Sequence, residues 1–141
     1  MANLSTKFSS VRQDWETPKE LFDPLMQEFG FTLDVCATAK NRKCDLYISE
    51  QEDALSKDWE SDGVCWMNPP FSGLQKWVKK AYDESQKGRM VVCLLPCRTN
   101  TNWWHDYVMK GEIRFIRGRP KFNGADHGLP QPLAIVIFQK A

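Results

Sequence analysis

Neither sign of charge prevails in this chain: 19 Lys and Arg stand against 18 Asp and Glu over 141 residues. A global basic field is therefore missing, and any nucleic-acid contact has to come from local clusters of cations. No charged-then-apolar leader opens the sequence, and no apolar run nears the ~20 residues that span a bilayer. A soluble, cytoplasmic protein without membrane contact is expected. No internal repeat is visible. The five cysteines, Cys36, Cys44, Cys65, Cys93 and Cys97, are odd in number and three lie in apolar runs, which suits reduced buried thiols and not a disulfide framework. Cys93, Cys97 and His105 make one loose spacing, too little for a zinc site, so no metal is expected. The length suits one domain with a sizeable core and excludes a full second one.

What is present alternates. Residues 1–14 are Ser-rich and polar and read as a flexible N-terminal arm, with a single domain over 15–141. Thr17 followed by Pro18 reads as an N-cap with proline at the first helical position. Leu21, Phe22, Leu25, Met26 and Phe29 then recur at helical spacing until Gly30. Phe31 to Cys36 reads as a buried strand carrying Asp34. Residues 38–52 are polar and irregular, broken by Leu46-Tyr47-Ile48 as a short edge strand; a compact Asp53-Ala54-Leu55 follows, with Trp59 beyond. Val64 to Met67 is the next strand, and Leu74, Trp77, Val78, Ala81 and Tyr82 mark an amphipathic helix to about Gln86. Met90 to Leu95 is the most continuous apolar run, as expected of a central parallel strand, and Pro96 terminates it. Asn100 or Thr101 caps a helix running through Trp103, Trp104, Tyr107, Val108 and Met109 to Gly111. Ile113 to Ile116 and Leu133 to Phe138 are the last strands. The expectation is an α/β fold, doubly wound, with a mostly parallel Rossmann-like sheet and a C-terminal antiparallel strand pair.

The chemistry concentrates in Asn68-Pro69-Pro70-Phe71. Proline fixes φ, removes a donor and pushes the residue before it out of the helical region, so this segment is rigid, extended and unable to continue a strand. It should sit just past the carboxyl end of Val64–Met67, where open α/β sheets place their ligands. The Asn68 side-chain oxygen and the Pro69 carbonyl can each accept a hydrogen from one –NH2 group, and Phe71 offers a flat face to a ring. An aromatic amine is a poor nucleophile because its lone pair is delocalised into the ring, and two acceptors aimed at its hydrogens localise that pair. A plain Pro-Pro turn after a strand is the bland alternative.

Taken together, Trp15-Glu16-Thr17-Pro18, Phe29 to Ala37, Asp53-Ala54-Leu55 with Trp59, Asn68 to Phe71, Leu94 to Arg98, Arg117-Gly118-Arg119 and Lys121-Phe122 resemble the phage-type, Dam-like DNA adenine-N6 methyltransferases. The matching stretches quoted run from Trp15 to Phe122. The resemblance implies an S-adenosylmethionine-dependent, phage- or prophage-encoded enzyme that methylates the N6 amine of a flipped-out adenine in duplex DNA. It implies catalytic roles for Asn68, Pro69, Pro70 and Phe71, and cofactor contacts from Trp15, Thr17, Pro18, Asp34, Cys36, Ala37, Asp53 and Asn68. Substrate contacts fall to Phe71, Arg98, Arg117, Arg119 and Lys121. Thr17 at a helix N-terminus suits the methionine carboxylate, Asp34 the ammonium and Asp53 the adenine amine.

Two departures from the family pattern stand out. The glycine-rich loop common after the first strand is replaced by Cys36-Ala37-Thr38, and S-adenosylmethionine, having no phosphate, makes less demand for it. No separate target-recognition region is present beyond the loop from Gly118 to Pro132. From Lys110 to Lys121 five cations, Lys110, Arg114, Arg117, Arg119 and Lys121, stand against Glu112, with Phe115 among them and Phe122 next to Lys121. This mixture suits phosphate contacts with stacking, or simply a solvated strand face. Asn-Pro-Pro-aromatic segments such as Asn68 to Phe71 also serve enzymes that methylate RNA bases or glutamine amides, and a non-catalytic binding protein of this fold is the remaining alternative. A monomer and a homodimer are both compatible with the sequence.

Overall fold

The computed structural model describes residues 17–60, 62–120 and 131–140. The expected arm over 1–14, Trp15 and Lys121 lie outside the described residues.

Helix α1 (Lys19–Phe29) forms as its periodicity predicts, with Phe22 and Leu25 buried. It stops at Gly30, whose φ of 63° is costly for any residue with a Cβ and whose N–H closes on the Met26 carbonyl at 2.8 Å. Its start differs by one residue from the expectation. Pro18, not Thr17, is the N-cap: its extended ψ of 142° turns its carbonyl to the N–H groups of Leu21 and Phe22. The Thr17 side chain is engaged elsewhere.

The remaining elements are strands β1 (Phe31–Asp34) and β2 (Leu46–Tyr47), two 3-10 turns (Glu50–Glu52 and Ala54–Ser56), β3 (Val64–Met67), α2 (Leu74–Gln86), β4 (Val91–Pro96), α3 (Asn102–Asp106), a 3-10 turn (Val108–Lys110), β5 (Glu112–Phe115) and β6 (Leu133–Phe138). One six-stranded sheet has the order β2-β1-β3-β4-β6-β5. The first four neighbours are parallel, and β6 runs antiparallel to both β4 and β5. β4 and β6 are buried along their whole length, because side chains on both faces are covered. Cys65, Met67, Val91, Cys93, Leu95, Val136 and Phe138 share one core with Leu74, Val78 and Ala81 of α2, whereas Trp66, Val92, Leu94, Ile135 and Ile137 share another with Phe22 and Leu25 of α1. This is a mixed α/β architecture, mostly parallel with an antiparallel pair, compatible with a methyltransferase fold.

Several boundaries differ from expectation: β1 ends at Asp34 and not Cys36, β2 at Tyr47 and not Ile48, β5 spans Glu112–Phe115 and not Ile113 to Ile116, and two further differences have a visible cause. Pro96 remains inside β4, paired with Leu133, since the last position of a strand tolerates a missing donor. The helix expected up to Gly111 ends instead at Asp106. Tyr107 (φ −124°, ψ −54°) breaks it before the 3-10 turn, packing on Tyr82 at 5.4 Å. The chain then passes so close to β6 that a Cβ on Gly111 would lie 2.8 Å from the Ile137 carbonyl. A straight helix could not make that approach.

The strand order places the site. From β1 the chain moves outward to β2, then returns to the other side of β1 as β3. The direction of winding reverses between β1 and β3, and the crevice outside their carboxyl ends is the expected ligand position in such a sheet.

Candidate functional site

At that crevice β1 and β3 end level, with Asp34 paired to Trp66. The Asn68 amide donates to Thr17 Oγ1 at 3.1 Å, a contact across 51 residues that joins the segment preceding α1 to the end of β3. This fixes the rotation of the amide, with its oxygen left as the acceptor. Pro69 and Pro70 behind it are buried.

Beyond the prolines, successive residues serve different clefts. Pro70 and Ser72 line a cleft of about 400 Å³ together with Val35, Cys36, Ala37, Ile48, Glu50, Asp53 and Trp77. Phe71 lines a second cleft, about 690 Å³, with Gln75, Lys79, Arg98, Asn100, Asn102 and Asp106. Gly73 borders both. The segment is thus a partition, its two sides separated where the chain bends at Phe71 and turns at Ser72 and Gly73.

Of the residues singled out from the sequence, Cys36, Ala37, Asp53 and Pro70 line the first cleft, and Phe71 and Arg98 the second. The Arg98 guanidinium lies 5.7 Å from the Phe71 ring centroid, and its Nε donates to Gln131 Oε1 at 3.1 Å. Asn68, Pro69, Thr17 and Pro18 line neither cleft and form the root of the partition. Asp34 is buried behind the first cleft. Its Oδ1 accepts from the Cys36 N–H at 3.3 Å and its Oδ2 from the Lys43 N–H at 3.0 Å, so it braces the loop after β1. Burial pushes its carboxyl up to about 6 against the pull of those two donors. Burial likewise pushes the Cys36 thiol up to about 12, leaving it protonated and unreactive. Arg117 and Arg119 are exposed and follow β5, whose carboxyl end lies on the same edge of the sheet as the partition. They line neither cleft.

Reading the sequence missed Glu50, Ser49, Lys76 and Trp77, all on the first cleft. Glu50 had a signal: it stands three residues past the short apolar Leu46-Tyr47, at the carboxyl end of a strand beside the crevice. Lys76 and Trp77 had none, because they lie on a helix read for its apolar stripe. Asp53 carries a further mark, a φ of 52°, the one positive φ outside glycine among the described residues.

The chain matches the DNA N-6-adenine-methyltransferase (Dam) family over residues 4–133. It is 30% identical over 151 aligned positions to the DNA N-6-adenine-methyltransferase of Haemophilus phage HP1, covering 96% of this chain and 86% of that protein. It is 31% identical over 96 residues to the DNA N-6-adenine-methyltransferase of Escherichia phage T1, covering 67% of this chain but spanning only 40% of that relative's length. With a family match over most of its length and a site built at the switch point of the sheet, the chain belongs to the phage-type DNA N-6-adenine-methyltransferase (Dam) family.

Proposed function

We propose that this protein transfers a methyl group from S-adenosylmethionine to the N6 amine of an adenine extruded from duplex DNA. The observation that carries the reading is the partition: one rigid Asn-Pro-Pro-Phe segment separates a largely apolar cleft from a polar one, so two reactants on either side meet across it.

The first cleft fits the cofactor. Its volume lies within the range of small-molecule sites. Val35, Ala37, Ile48, Leu55 and Trp77 give it apolar walls for a purine ring, and Glu50 and Asp53 give it acceptors for hydroxyl and amino hydrogens. Glu50, just past β2, suits the ribose hydroxyls, as an acid at that position does in dinucleotide folds. Asp53 suits the adenine amine. Ala37 and Thr38, in place of glycines, line the wall without closing it. Bound there, S-adenosylmethionine supplies an electrophilic methyl on a sulfonium.

The chain's own residues do the rest by position. A stacked base cannot present its amine to a site beside the sheet, so the adenine leaves the helix and enters the second cleft. Phe71 stacks on it, with Arg98 on the rim shifting aside or covering the opposite ring face. The base edge reaches past Phe71 to the root of the partition, where the Asn68 oxygen and the Pro69 carbonyl accept the two amine hydrogens and localise the lone pair on nitrogen. The Asn68 amide nitrogen donates to the Thr17 hydroxyl, which leaves the amide oxygen to accept, an advantage realised only if the acceptor is already in place. The amine proton leaves to water. Arg117, Arg119 and Lys121 contact phosphates. The reaction is placed in the bacterial cytoplasm; no helix among the described residues is long and apolar enough to cross a membrane.

The deciding experiment incubates the protein with S-adenosylmethionine labelled in the methyl group and, in parallel, duplex DNA, RNA and protein. Label on N6 of adenine in DNA is the expected result. Label only on RNA or on a glutamine amide refutes the DNA assignment, and no label anywhere with intact cofactor binding favours a binding protein.

A further inference from the structure

Besides Asp34, which braces the loop after β1, one further carboxylate is buried among the described residues. Glu84 on α2 has no solvent exposure, yet it lies outside both clefts. Its Oε1 accepts from the Trp59 main-chain N–H at 2.8 Å. Lys80, at 3.2 Å, and Lys87, at 2.6 Å, reach its Oε2, and Arg89 lies 3.4 Å from Oε1. Lys87 also binds Asp58 at 2.7 Å, so the two residues before Glu60 are tied to α2 by main chain and side chain alike. Burial by itself would raise this carboxyl, but the hydrogen bonds from Lys87, Trp59 and Lys80 more than offset it and hold it below its usual range.

What Glu84 holds leads back to the first cleft. Trp59 is fully buried, and its Nε1 donates to the Ala54 carbonyl at 2.9 Å. The Lys80 ammonium sits 5.8 Å from the Trp59 ring centroid, closing the same cluster from the helix side. Ala54 is the neighbour of Asp53, and Asp53, Ala54 and Leu55 form one wall of the cleft. Asp53 is held at a φ of 52°, a conformation that costs a non-glycine residue of order 1 kcal/mol and persists only where its surroundings enforce it. Its local hydrogen bonds are those of two short 3-10 turns, from Asp53 N–H to the Glu50 carbonyl and from Ser56 to the Asp53 carbonyl. Turns of that length do not hold a chain on their own. Burial of Ala54 in the core holds the turn on one side, and the Trp59 bond to its carbonyl, itself tied to α2 through Glu84, holds it on the other.

We infer that Glu84 and Trp59 are positioning residues for the cofactor: acting through the Ala54 carbonyl, they set the left-handed turn that aims Asp53 into the cleft. The inference rests on the reading of that cleft as the S-adenosylmethionine site with Asp53 as a contact. Glu84 touches no reactant, and its effect is carried entirely by the chain between residues 53 and 59. Preorganising one wall of a site raises affinity without adding a contact, since the ordering is already complete before the ligand arrives.

Calorimetry with S-adenosylhomocysteine on the full chain tests this, alongside steady-state methylation. Trp59→Phe keeps the ring and deletes the bond to Ala54. Glu84→Gln keeps an acceptor for the Trp59 N–H and deletes the charge. Trp59→Phe should weaken binding about five- to tenfold, the loss of roughly one buried hydrogen bond, and Glu84→Gln by less, since its bond to the Trp59 N–H survives but loses the charge that strengthens it. Both should raise KM for the cofactor while leaving kcat and DNA affinity near the parent values, a split that general destabilisation does not produce. In an Asp53→Ala background neither should cost anything further, since the residue they position is gone. If Asp53→Ala weakens binding while folded Trp59→Phe and Glu84→Gln bind as the parent does, the inference is overturned and the reading of the cleft survives. If Asp53→Ala binds normally, the reading of the cleft fails and takes the inference with it. Should Glu84→Gln not fold, Trp59→Phe decides alone.

Discussion

The two clefts flanking the Asn68–Gly73 partition are held in different ways. Every wall of the first is backed by buried structure: Val35 and Ile48 belong to the core, Asp34 braces the loop after β1, and Trp59 with Glu84 stands behind Asp53. The second has a buried floor in Leu74 and Trp103, but its polar lining, Gln75, Lys79, Asn100, Asn102 and Asp106, is exposed, with Arg98 half-buried on its rim. A site for one invariant small molecule gains from being fixed beforehand, because ordering costs are not then charged to affinity. A site that must admit an extruded base and neighbouring phosphates gains from side chains able to rearrange. The same short segment serves both, and its own rigidity comes from two prolines.

The largest expected effect strikes the partition itself. Asn68→Ala should lower the methylation rate by about two to three orders of magnitude while changing the affinity for S-adenosylhomocysteine and for DNA little, since one preorganised acceptor is lost. Turnover near the parent value would remove Asn68 from the mechanism.

A pH experiment probes the bracing of the first cleft. The Asp34 carboxyl titrates near 6 in the folded protein against about 3.9 in an unfolded chain, so between those values the folded state keeps a proton that the unfolded state has lost. Its favourable contribution is complete below pH ~4 and is lost as pH rises through 6. The stability of Asp34→Asn, measured by urea unfolding, should therefore improve relative to the parent by up to roughly 3 kcal/mol between pH 4 and pH 7. A gap independent of pH would mean that Asp34 titrates normally.

Next in size is a contrast between the clefts. Asp53→Ala should weaken S-adenosylhomocysteine binding about ten- to a hundredfold, as loss of a charged hydrogen-bond partner does, whereas Phe71→Ala should leave it unchanged and impair only methylation of DNA. Loss of cofactor binding in Phe71→Ala would merge the two clefts into one site. The smallest effect lies beyond both. If Arg117 contacts a phosphate, the log–log dependence of DNA binding on salt should flatten by roughly one unit in Arg117→Ala, with all sequences weakened alike. An unchanged slope would take the segment after β5 out of the DNA interface.

Much of the fold was readable because local signals agreed. Val64–Met67, Leu74–Gln86 and Leu133–Phe138 stand where periodicity and flanking Gly or Pro put them. The break at Tyr107 was not readable, because nothing in the helix signals that Gly111 must press against Ile137. Thr17 shows the same limit at the site. Its sequence reads as a helix cap, while its hydroxyl serves Asn68, 51 residues away. Asp34 reads as a strand-end carboxylate beside the crevice, and only the structure shows that the N–H groups of Cys36 and Lys43 donate to it.

By itself the sequence determined the rigid Asn-Pro-Pro-Phe segment, its place at the end of a strand and the alternation of elements, because proline geometry and hydrophobic period act over a few residues. Only the tertiary structure decided that this segment divides two clefts, that Glu50 joins Asp53 on one of them, and that Glu84 reaches Asp53's wall through Trp59. Those facts depend on strand order and on contacts between residues 25 or more positions apart, and no local pattern of side chains encodes them.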